Sequence, residues 1–141
     1  MIVFFMDPED VSRAIADPNS IVCTDGFPSA KKSHPRYYGS CVRVLEKYVK
    51  QEHLLSLQQA IYKMSGMPAA KLGITDRGIV AQGNKADLLV IDLENLHDNA
   101  TYKDDKAVCE GIEYVAVNGK IVVSQGEVLP IYAGHVLRKG K

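Results

Sequence analysis

The periodicity of the chain changes once, and that change limits it to folds that keep helices and strands in separate regions. Up to Gly73 apolar residues recur at helical spacing, whereas beyond about residue 85 they come in short β-branched runs. "ADLLVIDL" (86–93) predicts a continuous buried strand. "EYVAVNGKIVVSQGEVL" (113–129) predicts a hairpin, with Asn118-Gly119 at the two positions a type I′ turn needs. A two-residue turn there pairs Val115 with Val122 on one face, and Ala116 with Ile121 and Tyr114 with Val123 on the other. Apolar groups on both faces predict a hairpin covered on both sides. The chain therefore divides near residues 73–85 into an α/β half and an all-β half.

The first half predicts a compact βαβ unit followed by helices. "IVFF" (2–5) is a buried strand by composition, and "SIVCTDG" (20–26) a second. Between them "DPEDVSRAIADP" (7–18) predicts a short helix, with Asp7 as N-cap, Pro8 at the first helical position and Pro18 beyond the end. Val11, Ala14 and Ile15 form its apolar face. Strand, helix, strand in so few residues implies a parallel pair. "FPSAKKSHPRYYG" (27–39) predicts a loop, because Pro28, Pro35 and Gly39 interrupt any pattern. Positions 41, 42, 44, 45, 48 and 49 then fall on one helical stripe. "SLQQAIYKMSG" (56–66) carries a capping box, Ser56 with Gln59, and Leu55 is placed to staple onto Ala60. "MPAAKLG" (67–73) adds a short turn from Pro68 to Gly73.

Several function classes are disfavoured. Seventeen basic and seventeen acidic side chains give a formal net charge of zero, which removes the main electrostatic case for nucleic acid or an anionic membrane. No apolar run approaches the roughly 20 residues that span a bilayer. "MIVFF" has no basic lead and is followed at once by Asp7, Glu9 and Asp10, unlike a signal peptide. Three widely spaced cysteines, Cys23, Cys41 and Cys109, point to reduced thiols and a cytoplasmic location.

Asp25 is the first chemical candidate. Where parallel strands carry helices, working groups gather at the strands' C-terminal ends. A carboxylate there can take a proton from a nucleophilic water and return it to a leaving group. The plainer alternative is an Asx turn that ends a strand. Cys23, Asp25 and His34 could be combined into a metal site, but no C-x-x-C, H-x-H or H-E-x-x-H spacing occurs, so no metal site is assigned and Cys23 is expected to be a packed core thiol. In "HPR" (34–36), Arg36 could grip a substrate carboxylate in a forked geometry or cap a helix. "KKSHPRYY" interleaves bases with aromatics, as single-strand binders do, but a solvated loop is the better expectation for one octamer on a neutral chain. His53, His97 and His135 have no partner at ligand spacing and read as structural.

These residues resemble a known family. "TDG", "HPRYYGSCVRVLEKYV", "LSLQQAIYKMSGMPAAKLGITDRGIVAQGNKADLLVID" and "GIEYVAVNGKIVV" together are similar to the C-terminal part of N-acyl-D-amino-acid deacylases (D-aminoacylases) of the amidohydrolase superfamily. The resemblance implies an α+β piece: residues 1–75 as the last strands and helices of a (β/α)₈ barrel, and residues 76–141 as the C-terminal strands of a small β-sandwich. It makes Asp25 the general acid/base beside a zinc-bound hydroxide, with His34 and Arg36 as substrate-binding candidates. The family's zinc ligands come from earlier strands and match nothing here. Thr24 departs from the usual Ser and His135 from the usual Arg.

The expectation is therefore a segment of a zinc-dependent hydrolase that cleaves the amide of N-acyl-D-amino acids. Alone it should hold no catalytic zinc and be inactive. It should form a homodimer or associate with the missing barrel part through exposed strand edges. The alternative is a non-catalytic family remnant that serves as a folding or association module. A third possibility, nucleic-acid binding through Lys31, Lys32 and Arg36, is the weakest.

Overall fold

The computed structural model describes residues 6–27, 29 and 32–138. The expected strand at 2–5, Lys31 and residues 139–141 lie outside the described residues. Among the described residues four α-helices come first and a four-stranded antiparallel sheet follows. The division between an α-rich half and a β-rich half thus falls where the periodicity changes.

Helix α1 (Pro8–Ala16) begins as the sequence dictates: the Asp7 carboxylate accepts the Glu9 N–H at 2.8 Å, and Pro8 opens the first turn. Residues 20–26, expected as a strand, join no ladder among the described residues. They keep a period of two nonetheless. Val22, Thr24 and Gly26 are half-buried, while Ile21, Cys23, Asp25 and Phe27 face out. Cys23 is therefore exposed rather than a packed core thiol, because it shares the outer face of this segment with Asp25.

The expected loop through Gly39 is helical from residue 36. Helix α2 (Arg36–Arg43) continues without a break into a π-helical segment, Val44–Gln51. Gly39 does not stop it. A β-carbon there would lie 2.2 Å from the Asp98 carboxylate, so glycine is what lets the helix approach the 92–105 region. The apolar stripe turns Val42, Val44, Leu45 and Tyr48 into the core and leaves Cys41 exposed.

Helix α3 (Leu57–Met64) has the expected reciprocal capping box: Gln59 N–H donates to Ser56 Oγ at 3.2 Å, and Ser56 N–H to Gln59 Oε1 at 2.8 Å. Leu55 and Ala60 are both buried in the core cluster. Helix α4 (Gly66–Leu72) ends on Gly73 in the left-handed conformation. Lys63 is buried, and its ammonium donates to Asp17 O, to Ser20 O at 3.1 Å and to Ser20 Oγ at 2.8 Å. This cation pins the 17–20 loop onto α3, and Val22 N–H adds a bond to Lys63 O at 3.3 Å.

The sheet runs β1 (Leu88–Ile91), β2 (Ile112–Val117), β3 (Lys120–Ser124) and β4 (Glu127–Val128). Asn118 (φ 48°) and Gly119 (φ 78°) form the expected turn. The expected register holds at Ala116–Ile121 and then slips: Val115 pairs with Val123 and Tyr114 with Ser124. Val122 is the extra residue of a bulge, and its carbonyl accepts the Leu129 N–H at 2.8 Å. Neither β1 nor the hairpin is covered on both sides. Leu89 is 57% exposed and Val90 53%, and Tyr114 and Ile121 also reach the surface. Arg77 ties the linker to the hairpin tip, pairing with Asp87 and donating to Asn118 Oδ1 at 3.3 Å.

The halves meet at residues 92–105. Leu96, 1% exposed, enters the core formed by Val42, Val44, Leu45, Tyr48, Leu55 and Ala60. Glu46 brackets it: one carboxylate oxygen accepts the Asp98 N–H at 2.8 Å and the other meets His97 Nδ1 at 2.5 Å. Lys50 donates to Glu94 O at 2.7 Å and Leu96 O at 3.2 Å. Burial pushes the Glu46 carboxyl up, but the bonds from Asp98 and His97 and the charges of His97 and Lys50 outweigh it and hold it below the ordinary value.

Leu96→Ala should lower the unfolding free energy by about 2–5 kcal/mol in urea titration, and Ser56→Ala by about 1 kcal/mol. Because folding depresses the Glu46 carboxyl, its contribution is present above the ordinary value of 4.5 and is lost as pH falls through the lower folded value. Glu46→Gln should accordingly flatten the acid limb of a stability-versus-pH curve. An unchanged limb would show that the clamp does not carry this dependence.

Candidate functional site

Asp25 stands at the end of the extended segment with φ of 44°, in the left-handed region that Asp tolerates better than most residues. Its side chain is 75% exposed, and Oδ2 lies 3.0 Å from Arg36 Nη2. Gly26 allows this placement: a β-carbon there would sit 2.6 Å from the Tyr37 ring and 2.8 Å from its Cα. The chain thus packs its backbone on the first turn of α2 and leaves the neighbouring carboxylate open. Asp25 thus combines a left-handed backbone with an open carboxylate, on a segment that joins no strand ladder among the described residues.

His34 and Arg36 flank Pro35 at the start of α2. The Arg36 N–H donates to His34 Nδ1 at 3.1 Å, which satisfies a first-turn donor that would otherwise lack a helical partner. On its other side His34 Nε2 lies 3.2 Å from Tyr102 Oη, with the rings edge to face. Burial and the Arg36 charge hold the His34 imidazole below its usual value. An open cavity of about 440 Å³ runs between α2 and the 98–102 loop, lined by His34, Arg36, Ser40, Arg43, Asp98 and Tyr102 among others. Arg43 pairs with Asp98 at 3.5 Å.

Asp25, His34 and Arg36, picked from the sequence, therefore come together, linked by one ion pair and one backbone bond. Cys23 faces outward beside them without joining this set. Tyr102 and Asp98, which sequence reasoning passed over, complete the surroundings from about 65 residues away along the chain. No local signal marks them, since "DNATYKDD" (98–105) reads as an ordinary polar loop. His97 pairs with Glu46, and His53 Nδ1 lies 3.1 Å from Val49 O, so both serve the fold. Among the described residues no three His, Cys, Asp or Glu side chains converge as a metal ion requires. No described helix is long and apolar enough to cross a membrane.

An N-acyl-D-aspartate deacylase of Alcaligenes xylosoxydans xylosoxydans is 43% identical over 121 residues, covering 86% of this chain and 24% of the relative. An N-acyl-D-glutamate deacylase of the same organism is 40% identical over 124 residues, covering 88% and 25%. A crystal structure of D-aminoacylase superposes with a TM-score of 0.93 at 38% identity, over 96% of this chain and 29% of that one. The N-acyl-D-glutamate deacylase of Bordetella bronchiseptica, solved with zinc and a phosphonate mimic of the tetrahedral intermediate, gives 0.82 at 38% identity, over 85% and 25%. The chain spans about a quarter of the length of these relatives. With the amidohydrolase family model matching residues 18–123, and these folds superposing on nearly the whole chain, the chain belongs to the amidohydrolase family.

Proposed function

We propose that this chain supplies the acid/base carboxylate and a substrate-gripping arginine to a deacylase that hydrolyses N-acyl-D-amino acids to a carboxylate and a D-amino acid. The observation that carries this is the open Asp25 carboxylate, paired with Arg36 at 3.0 Å and followed by Gly26 packed on Tyr37. Residues 1–75 would form the end of the (β/α)₈ barrel and residues 76–141 the C-terminal part of the β-sandwich.

In this reading Asp25 takes a proton from the water that attacks the amide carbonyl. It then returns that proton to the departing nitrogen as the C–N bond breaks, so one group serves as base and then acid. Arg36 offers a planar fork suited to a substrate carboxylate. A carboxylate docking there would compete with Asp25 for the guanidinium and free Asp25 for the water. His34 orients Arg36 from behind. Zinc, present in the Bordetella relative, would polarise the carbonyl and acidify the water in the complete enzyme. By the family resemblance its ligands would come from strands that precede those matched by this chain, and the chain alone would be inactive. The exposed strand residues Leu89 and Val90 fit the surface that the polypeptide bearing those ligands, or a second copy of the chain, would cover.

The test supplies the remaining part of a related deacylase in trans. Wild-type chain should restore hydrolysis of an N-acyl-D-amino acid, and Asp25→Asn should lower kcat by about 10²–10⁴-fold at equal zinc content. Equal activity of the two would remove the acid/base role and leave a non-catalytic association module. Arg36→Ala should raise KM by about 10–100-fold, the cost of a lost charged hydrogen bond.

A further inference from the structure

The turn at residues 101–105 grips the segment leading into Arg36, and the reaction outlined above gives it no role. Thr101 and Asp104 close the turn on themselves: Thr101 N–H donates to Asp104 O at 2.8 Å, and Asp104 N–H to Thr101 Oγ1 at 3.0 Å. From the facing stretch of chain, Lys32 Nζ donates to Tyr102 O at 2.8 Å and to Lys103 O at 3.1 Å. Ser33 N–H donates to Asp105 Oδ2 at 2.6 Å. His34 then meets Tyr102 Oη at 3.2 Å. Three successive residues are thus held by one turn about 70 positions later.

The chemistry of His34 gives this grip a direction. A peptide N–H can only donate, so Nδ1, facing the Arg36 N–H, is the unprotonated acceptor. A neutral imidazole then carries its proton on Nε2 and donates it to Tyr102 Oη. A doubly protonated ring would set two donors face to face at Arg36. We propose that Tyr102 is a positioning residue: through the Nε2–H tautomer of His34 it fixes the first turn of α2, and with it the Arg36 guanidinium that holds Asp25. This rests on the reading of Asp25 and Arg36 as site residues. The charged groups lining the cavity with His34 are Arg36, Arg43 and Asp98; Lys32 and Asp105 make the bonds between its segment and the turn, and the turn also carries Lys103 and Asp104. Burial and the Arg36 charge also oppose protonation of His34.

The experiment is nitrogen and carbon NMR of the 141-residue chain through an acid titration, as wild type and as Tyr102→Phe. In wild type, His34 should show a pyridine-like Nδ1 and a pyrrole-like Nε2. The Arg36 amide, the Arg36 Nε and the Asp25 carboxyl carbon should all shift at the His34 midpoint. Tyr102→Phe keeps the ring and removes the hydroxyl; it should loosen the His34 ring, weaken its Nδ1 bond to the Arg36 N–H and move the Arg36 Nε and Asp25 signals, while amides of α3 and α4 stay in place. A protonated Nδ1 in neutral wild type, or Arg36 and Asp25 signals indifferent to the His34 titration, overturns the proposal even if the variant fails to fold. So do signals unmoved by Tyr102→Phe in a folded variant. None of these readouts uses catalysis. A failure of Asp25→Asn to lower activity would therefore count against the acid/base role and leave the linkage standing.

Discussion

The fold depends on one carboxylate. Glu46 sits on the π-helical segment and accepts from the Asp98 N–H with one oxygen while the other meets His97. Between the groups it engages and the two carbonyls capped by Lys50, the chain is drawn down so that Leu96 enters the core. The α-rich half and the sheet meet where a polar frame surrounds one apolar knob. Apolar burial supplies a non-directional pull; Glu46 and Lys50 supply the direction, because each of their bonds fixes a named atom. Gly39 then lets α2 come against Asp98. With the 92–105 loop seated there, its turn reaches back over residues 32–34.

What the sequence disclosed follows from how local each feature is. The Asp7 cap, the Ser56–Gln59 box and the Asn118-Gly119 turn are each closed by bonds within a few residues, so their signals are complete in the residues themselves. The register beyond Ala116 was not legible, because the Val122 bulge is tied to Leu129 rather than to anything in the hairpin. Residues 20–26 carry the composition and alternation of a strand, but a strand is a pairing, and no described neighbour supplies the second half of its ladder. Arg36 to Gly39 looked like a loop for the opposite reason. A glycine that weakens a helix in isolation strengthens its packing here, since the space it leaves is taken by a carboxylate about 60 residues away.

The candidate site divides in the same way. Asp25, His34 and Arg36 lie within twelve residues and could be picked out by type and by resemblance. Tyr102 and Asp98 come from a polar loop whose residues announce only solvent. Lys63 is a further case: a lysine on a helix reads as a solvated side chain, yet it is buried with three oxygen acceptors and anchors the segment that ends in Asp25. A buried ammonium is tolerated only when oxygens replace its water, and Asp17 O, Ser20 O and Ser20 Oγ do so. The segment leading to Asp25 is thus held by α3 at residues 17, 20 and 22, and Asp25 itself by Arg36.

A left-handed backbone at a non-glycine residue costs roughly 1 kcal/mol, and it persists only where the surroundings over-determine it. At Asn118 and Gln125 the hairpin turns demand it, and the following glycines share it. At Asp25 no hairpin of described residues makes that demand. The conformation is imposed instead by Gly26 lying against Tyr37 and by the Arg36 ion pair, both of them consequences of where α2 begins. If α2 began later, as the proline and glycine pattern implied, neither contact would form and Asp25 could relax into an ordinary extended residue. The start of α2 is in turn satisfied by His34, whose imidazole takes up the Arg36 N–H. The orientation of a carboxylate suited to proton transfer therefore rests on a helix terminus, and that terminus rests on a histidine held from the other half of the chain.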